Sequence, residues 1–194
     1  MALKRVPRAF FARDSRVVAP ELLNKVLVRG NRSGRIVEVE AYAGTEDPAS
    51  HGFRGPTPRN EVMFGPAGHL YVYFTYGMHF CANAVCGTVG ESSAVLLRAL
   101  APLEGLEEMR AARGPAAKRE RDLCSGPAKL CQAFGIDRDQ DGVDLVTGED
   151  VGVFDDGTPS PAAPGVSARI GISVAVDEPW RWFVPGDPNL SRPS

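Results

Sequence analysis

Histidine is scarce in this 194-residue chain: there are three, and no two stand at the His-x-x-x-His spacing that seats a metal on one helix face. The four cysteines, spaced Cys-x4-Cys (Cys81, Cys86) and Cys-x6-Cys (Cys124, Cys131), read as buried free thiols rather than as a structural zinc site. There is no Gly-x-Gly-x-x-Gly turn and no phosphate loop, and Ser125 sits in Cys-Ser-Gly-Pro rather than in a Gly-x-Ser-x-Gly elbow. Zinc, nucleotide-binding and serine-hydrolase chemistry therefore lack their usual signatures, and the expectation is that no metal or cofactor is needed. Formal charge is missing altogether from Val62 to Gly90, long enough to raise the question of a membrane span. Pro66, Gly65, Gly68, Gly77, two histidines and Asn83 interrupt that run, whereas a spanning helix needs about 20 mainly apolar residues. The first residues, Met-Ala-Leu-Lys-Arg-Val-Pro-Arg, lack the apolar core of a secretory signal, so the expected location is inside the cell, with no membrane partner.

What is present is enough to fold. Leu, Ile, Val and Phe number 47, and the length suits a single domain over residues 1–194, with a basic arm at 1–9 and a flexible insertion at 155–165. The net charge of −2 hides an uneven distribution: residues 1–36 hold nine Lys or Arg against two acids, and residues 139–157 hold seven acids and no base. Both regions read either as solvated surface or as partner-binding charge.

Val26–Arg29 and Arg35–Tyr42 read as a hairpin bridged by residues 30–34. Strict alternation in the second run puts Ile36, Glu38 and Glu40 on one face and Val37, Val39 and Ala41 on the other. Residues 43–60 form a long Gly-, Pro- and polar-rich loop, of the kind that often carries function. Leu70–Phe74, Phe80–Cys86 and Ala94–Ala99 read as core strands. Leu103, Leu106 and Met109 read as one helix face, Ser125 as the N-cap of a second helix ended by Gly135, and Arg169–Val176 and Arg181–Val184 as closing strands.

Glu40 and Tyr42 straddle Ala41 where a strand enters the long loop, so both can face one cavity, and His51 lies further along that loop. Leu70-Tyr71-Val72-Tyr73-Phe74-Thr75-Tyr76-Gly77-Met78 places Tyr71 and Tyr73 on one face and Tyr76 before a glycine turn. Asn83 and Arg98 lie on the strands beyond. Aromatic faces with an amide between them suit a planar heterocycle, and a carboxylate beside an arginine suits activation of water. The plainer readings stay open: core tyrosines, a capping asparagine, a structural histidine and a structural Glu40–Arg98 ion pair.

These strings together resemble the alkyladenine (3-methyladenine) DNA glycosylase family. They are Ile36-Val37-Glu38-Val39-Glu40-Ala41-Tyr42, Thr57-Pro58-Arg59-Asn60, Leu70-Tyr71-Val72-Tyr73, Tyr76-Gly77-Met78, Leu96-Leu97-Arg98-Ala99-Leu100 and Leu123-Cys124-Ser125-Gly126-Pro127. The similarity runs from about Phe10 to Val184. It implies a single compact mixed α/β domain with a curved antiparallel sheet flanked by helices. It also implies a monofunctional enzyme that flips alkylated or deaminated purines (3-methyladenine, 7-methylguanine, hypoxanthine) out of double-stranded DNA and hydrolyses the N-glycosidic bond in base excision repair.

Carried over residue by residue, Glu40 is the general base and Arg98 helps hold its water. Tyr42, His51 and Tyr73 wall the pocket, and Asn83 faces the purine edge. Tyr76 replaces the flipped nucleotide, and Gly77, Met78, Thr57 and Arg59 meet DNA. This sequence has His79 where an aromatic neighbour is expected. Two other readings are a non-catalytic protein that binds damaged bases and a metal- or thiol-dependent nucleoside hydrolase built on Cys81 and His79. The expected state is a monomer.

Overall fold

The apolar, β-branched run Val26-Leu27-Val28 pairs with the strand that follows it across two residues, Gly30 and Asn31, the glycine at φ 57°. The expected five-residue bridge shortens because Arg32, Ser33 and Gly34 already pair with Arg29, Val28 and Leu27. The computed structural model, which describes residues 3–192, runs β1 (Lys4–Arg5), α1 (Arg8–Phe11), α2 (Ser15–Leu22), β2 (Val26–Arg29), β3 (Arg32–Ala43), β4 (Leu70–Thr75), β5 (His79–Cys86), β6 (Ser93–Glu104), α3 (Leu106–Arg113), α4 (Pro127–Phe134), β7 (Val151–Asp155), β8 (Gly165–Ser167) and β9 (Arg181–Phe183). Met1 and Ala2 of the expected 1–9 arm lie outside the described residues.

All pairings are antiparallel, in the order β1-β7-β2-β3-β6-β5-β4, with β9 joined to the second half of β3 and β8 to β9. The curled sheet carries α2 against β3 and α4 against β5 and β6, with α3 on α4. This is the single compact mixed α/β domain that the sequence led us to expect. Its large core gathers Phe11, Leu22, Leu27, Leu70, Leu97, Leu100, Leu130 and Phe134, all fully buried. Smaller clusters form around Val37, Ala99, Phe183 and Leu190, and around Met63, Tyr71, Val85 and Ala94. The four cysteines are free and buried. Among the described residues no helix is long and apolar enough to cross a membrane.

The expected alternation on β3 fails at one point. Pairing with β6 runs Ile36↔Leu100, Glu38↔Ala99 and Val39↔Leu97, so Val37 is an extra residue on β3 and Arg98 an extra residue on β6. Two bulges face each other. Ile36 consequently shares the large core with Val39 and Ala41, while Val37 turns to Phe183 and Leu190. Glu38 and Glu40 still face one way, because Arg98 reaches both.

Other expectations shift for local reasons. Leu103 belongs to β6, which continues to Glu104, and the helix starts at Leu106 after Gly105 at φ 73°. Gly126, not Ser125, precedes α4, and the Ser125 hydroxyl accepts from Lys129 Nζ at 3.1 Å. Residues 169–176 form no strand: the backbone bends, with Gly171 and Ala175 at positive φ.

The basic and acidic regions meet in four ion pairs. Arg8 pairs with Asp144 (2.6 Å), Lys25 with Asp155 (2.8 Å), Arg29 with Asp150 (3.0 Å) and Arg35 with Asp156 (2.7 Å). Part of that basic charge is thus matched within the fold instead of being left for a partner. In the expected insertion, Asp155 closes β7 and Gly165 opens β8, and Ser160 Oγ donates to the Glu21 and Leu23 carbonyls at 2.9 and 3.1 Å.

Candidate active site

Glu40 lies in the C-terminal half of β3. It is 0% exposed. Its Oε1 accepts from the Ile170 backbone N–H at 2.7 Å and lies 3.3 Å from an Arg98 guanidinium nitrogen, and its Oε2 accepts from the Tyr42 hydroxyl at 3.0 Å. Burial raises its pKa above the ordinary carboxylate value, opposed in part by Arg98, the Ile170 N–H and Tyr42. A carboxylate that is paired yet more basic than usual is suited to taking a proton near neutral pH. Tyr42, Arg98 and Ile170 all line a cavity of about 740 Å³, so Glu40 sits directly behind its wall.

Another part of the lining is aromatic. The Tyr71 and Tyr73 rings are 5.6 Å apart and 28° from parallel, and the His51 ring meets Tyr73 edge-on at 4.4 Å. His51 Nδ1 lies 3.0 Å from the Tyr71 hydroxyl. The outer edge of His51 meets solvent, but packing around the ring and the Arg59 charge lower its pKa, so it is neutral at pH 7. Burial raises the Tyr42 and Tyr73 hydroxyls, which stay protonated and leave their rings electron-rich.

The loop carrying His51 is rigidly seated. Asn60 Nδ2 donates to the His51 and Gly55 carbonyls at 2.7 and 3.1 Å, while Asn60 Oδ1 accepts from the Thr57 N–H and hydroxyl. Asp47, fully buried, accepts from Arg169 at 2.9 Å and from the Ala49 N–H at 3.0 Å. Gly44 sits at φ 60° with its α-carbon so close to Glu91 that an added Cβ would lie 1.9 Å from that carbonyl oxygen. Only glycine fits there.

The two remaining cavity residues differ in freedom. Asn83, 4% exposed, donates from Nδ2 to the Tyr71 carbonyl at 3.1 Å, which fixes the amide and leaves Oδ1 as its acceptor without a partner among the described residues. Cys81 lines the cavity as a protonated thiol, because burial raises its pKa. That is the wrong direction for a thiolate nucleophile.

Beyond the cavity, β4 and β5 are joined by Tyr76, Gly77 and Met78. Tyr76 is 82% exposed and Met78 67% exposed, and Tyr76 holds φ 51°, a costly conformation for a bulky residue. Gly77 at φ 69° has open space where a Cβ would be. A core tyrosine is excluded by that exposure. Arg59 completes this rim, 6.0 Å from the Tyr73 ring centre and donating to the Phe74 carbonyl at 3.0 Å.

A buried carboxylate thus lies behind an aromatic cavity, beneath a protruding aromatic turn. The family model for methylpurine-DNA glycosylase matches residues 9–188. The chain belongs to this family. It is a DNA glycosylase, an enzyme that cleaves N-glycosidic bonds. A protein of Burkholderia lata named “Putative 3-methyladenine DNA glycosylase” is 60% identical over 97% of this chain and 91% of its own. Proteins of the same name from Carboxydothermus hydrogenoformans (46% identical, 96% and 98% covered) and Rhodopseudomonas palustris (49%, 96% and 87%) are also similar.

The structure gathers Glu40, Arg98, Tyr42, His51, Tyr73 and Asn83 at one cavity of the glycosylase, with Thr57, Arg59 and Tyr76 also on its lining and Gly77 and Met78 beside them. Sequence reasoning missed Asp47, Arg169, the Ile170 N–H and Ser191. Arg169 stacks between the Tyr42 and Trp180 rings at 4.8 and 4.9 Å while paired with Asp47, a contact across 122 residues that no local pattern signals. Asn60 was visible only as the last letter of Thr57-Pro58-Arg59-Asn60.

Proposed function

We propose that the glycosylase removes 3-methyladenine, 7-methylguanine and hypoxanthine from duplex DNA by flipping the damaged nucleotide into this cavity, with Glu40 as the general base. The reading rests on one observation above others: a raised-pKa carboxylate, held by Arg98, Tyr42 and Ile170, directly behind an aromatic cavity. A purine stacked in a duplex hides its glycosidic carbon, and extrusion costs a few kcal/mol, least for damaged or mispaired bases. N-alkylated purines are cationic and stack on the electron-rich Tyr42 and Tyr73 faces.

In the chemical step the water oxygen bonds C1′ and the C1′–N9 bond breaks, its electron pair leaving on the purine. The water proton passes to Glu40. Ionised Glu40 also stabilises the positive charge that develops on the sugar. An alkylated purine thereby leaves neutral, whereas hypoxanthine must first take a proton. No lysine is found on the cavity lining among the described residues, so no amine is placed to form a Schiff base and cut the strand. Tyr76 fills the gap in the duplex, with Gly77 allowing close approach and Met78, Thr57 and Arg59 along the same rim.

The test is incubation with duplexes carrying one defined lesion each. Abasic sites that break only on alkali treatment are expected. Strand cutting without alkali, a borohydride-trapped adduct, or binding without base release would overturn the reading.

A further inference from the structure

A second carboxylate shares the buried face with Glu40 and takes no part in the mechanism above. Glu38 is fully buried on β3 and sits in the bulge that also displaces Arg98. Its Oε1 accepts from Arg98 Nε at 2.9 Å, Arg181 Nε at 2.8 Å and the Ser191 hydroxyl at 2.7 Å, and its Oε2 accepts from the Ser191 N–H at 2.6 Å. Arg98 in turn donates to the Ser191 hydroxyl at 3.2 Å and places another nitrogen 3.3 Å from Glu40. Arg98 is therefore shared between two carboxylates, with the shorter contact to Glu38.

We propose that Glu38, held by Arg181 and Ser191, is a positioning residue for excision: it fixes the Arg98 guanidinium at the cavity wall and draws its charge away from Glu40, so that Glu40 stays basic. This rests on the reading of Glu40 as the base.

Arg98 has two jobs that conflict. Close pairing with Glu40 orients that carboxylate but stabilises its ionised form and makes it a weaker base. An anchored second carboxylate resolves the conflict, since it satisfies most of the arginine and leaves Glu40 a longer contact. The charges agree with this. Burial opposes ionisation of Glu38, but the bonds from Arg181 and Ser191 outweigh it and hold Glu38 below the ordinary carboxylate value, whereas burial leaves Glu40 above it. The charged and titratable groups around Glu40 are Arg98 from β6, Glu38 and Tyr42 from β3, and Cys81 from β5, with Arg181 of β9 acting through Glu38 and Arg169 through Tyr42.

One guanidinium nitrogen of Arg181 is buried with no partner among the described residues. Arg181 gives Nε to Glu38 and another nitrogen to Ser167 at 2.9 Å, and its remaining donor is left unmet. Such an unmet group is a cost that a site carries more readily than a core does.

The experiment is single-turnover release of 3-methyladenine from duplex DNA methylated with dimethyl sulfate, followed from pH 5 to 9, for wild type, Glu38→Gln, Glu38→Asp, Ser191→Ala and Glu40→Gln, with thermal unfolding of each. Glu38→Gln lets Arg98 close on Glu40, so the acid limb of the profile should move to lower pH by about half a unit or more, and the plateau rate should fall about three- to tenfold, as expected for a weaker base. Glu38→Asp keeps the charge and should keep the limb near the wild-type position. Ser191→Ala should move it the same way as Glu38→Gln, by less.

A folded Glu38→Gln with the wild-type limb overturns the proposal. If Glu38→Gln does not fold, Ser191→Ala decides: a limb at lower pH supports the proposal and an unmoved limb overturns it. Glu40→Gln separates the two readings. If it excises at the wild-type rate, the base assignment itself has failed. If it is inactive while the limb stays put in the other variants, only the role of Glu38 falls.

Discussion

The floor of the cavity and its rim are built on opposite principles. At the floor, Glu40, Glu38, Asp47, Arg98, Arg169 and Arg181 are all buried, and each charge has an oppositely charged partner within 3.3 Å. At the rim, Tyr76 and Met78 project into solvent from a three-residue turn whose first residue is held at positive φ. A floor of this kind cannot yield without stranding a charge in low dielectric, whereas the rim has few contacts to lose. Chemistry needs preorganised charge, and entry into a stacked duplex needs an exposed apolar wedge. On the proposed reading, the fold assigns the first to β3 and β6 and the second to the turn between β4 and β5.

That contrast breaks or sharpens under substitution, and the largest effect should fall on the floor. Glu40→Gln keeps the shape but cannot take the proton, so binding to a hypoxanthine duplex should persist while excision falls ~100- to 10,000-fold. Single-turnover rates check this, and retention of more than about a tenth of the wild-type rate would move the base elsewhere. Asp47→Ala leaves Arg169 as a buried unpaired charge between Tyr42 and Trp180, and the expected loss is ~3–5 kcal/mol of folding stability, read by denaturant titration.

On the rim, Tyr76→Ala should weaken lesion-duplex binding about fivefold to a hundredfold while leaving single-stranded binding and the melting temperature nearly unchanged. Equal losses on both substrates would show that Tyr76 does not act as a wedge. Asn83 lies between the two zones. Its amide is pinned to the Tyr71 carbonyl and cannot swing aside for the guanine 2-amino group, so Asn83→Ser should raise release of normal guanine by roughly fivefold or more, the equivalent of ~1 kcal/mol. Guanine counted from undamaged duplex DNA is the readout. The smallest effect is expected for Arg59→Ala, which should reduce the slope of log affinity against log salt by about one, if Arg59 meets a single phosphate.

Much of this was legible in advance because it is local. The apolar runs of β4, β5 and β6 and the glycine stop after Phe134 follow from periodicity and turn chemistry within short windows, whereas the clustering of Glu40, Tyr42, Tyr73, Asn83 and Arg98, drawn from four strands, was implied only by the family resemblance of the ordered motif strings. The errors were also local readings overruled at a distance. Residues 169–176 look like a strand, but one N–H and the arginine go to carboxylates on β3 and in the loop, Ile170 to Glu40 and Arg169 to Asp47. The basic region of residues 1–36 left solvated surface and partner-binding charge both open, and acidic side chains more than a hundred residues away take up part of that charge.

The sequence by itself determined the central strands β2–β6 and the family, since apolar periodicity and the ordered motif strings are properties of neighbouring residues. Tertiary structure alone decided how the carboxylates are partnered. Strict alternation would have put Ile36 with Glu38 and Glu40, and only pairing with β6 introduces the opposed bulges at Val37 and Arg98 that send Ile36 to the core and Arg98 to both acids. Those partners lie 58 and 60 residues apart in the chain, and Ser191 reaches Glu38 across 153. Register between strands is set by the whole sheet closing around its core, so the basicity of Glu40 is settled only once the last residues have packed in place.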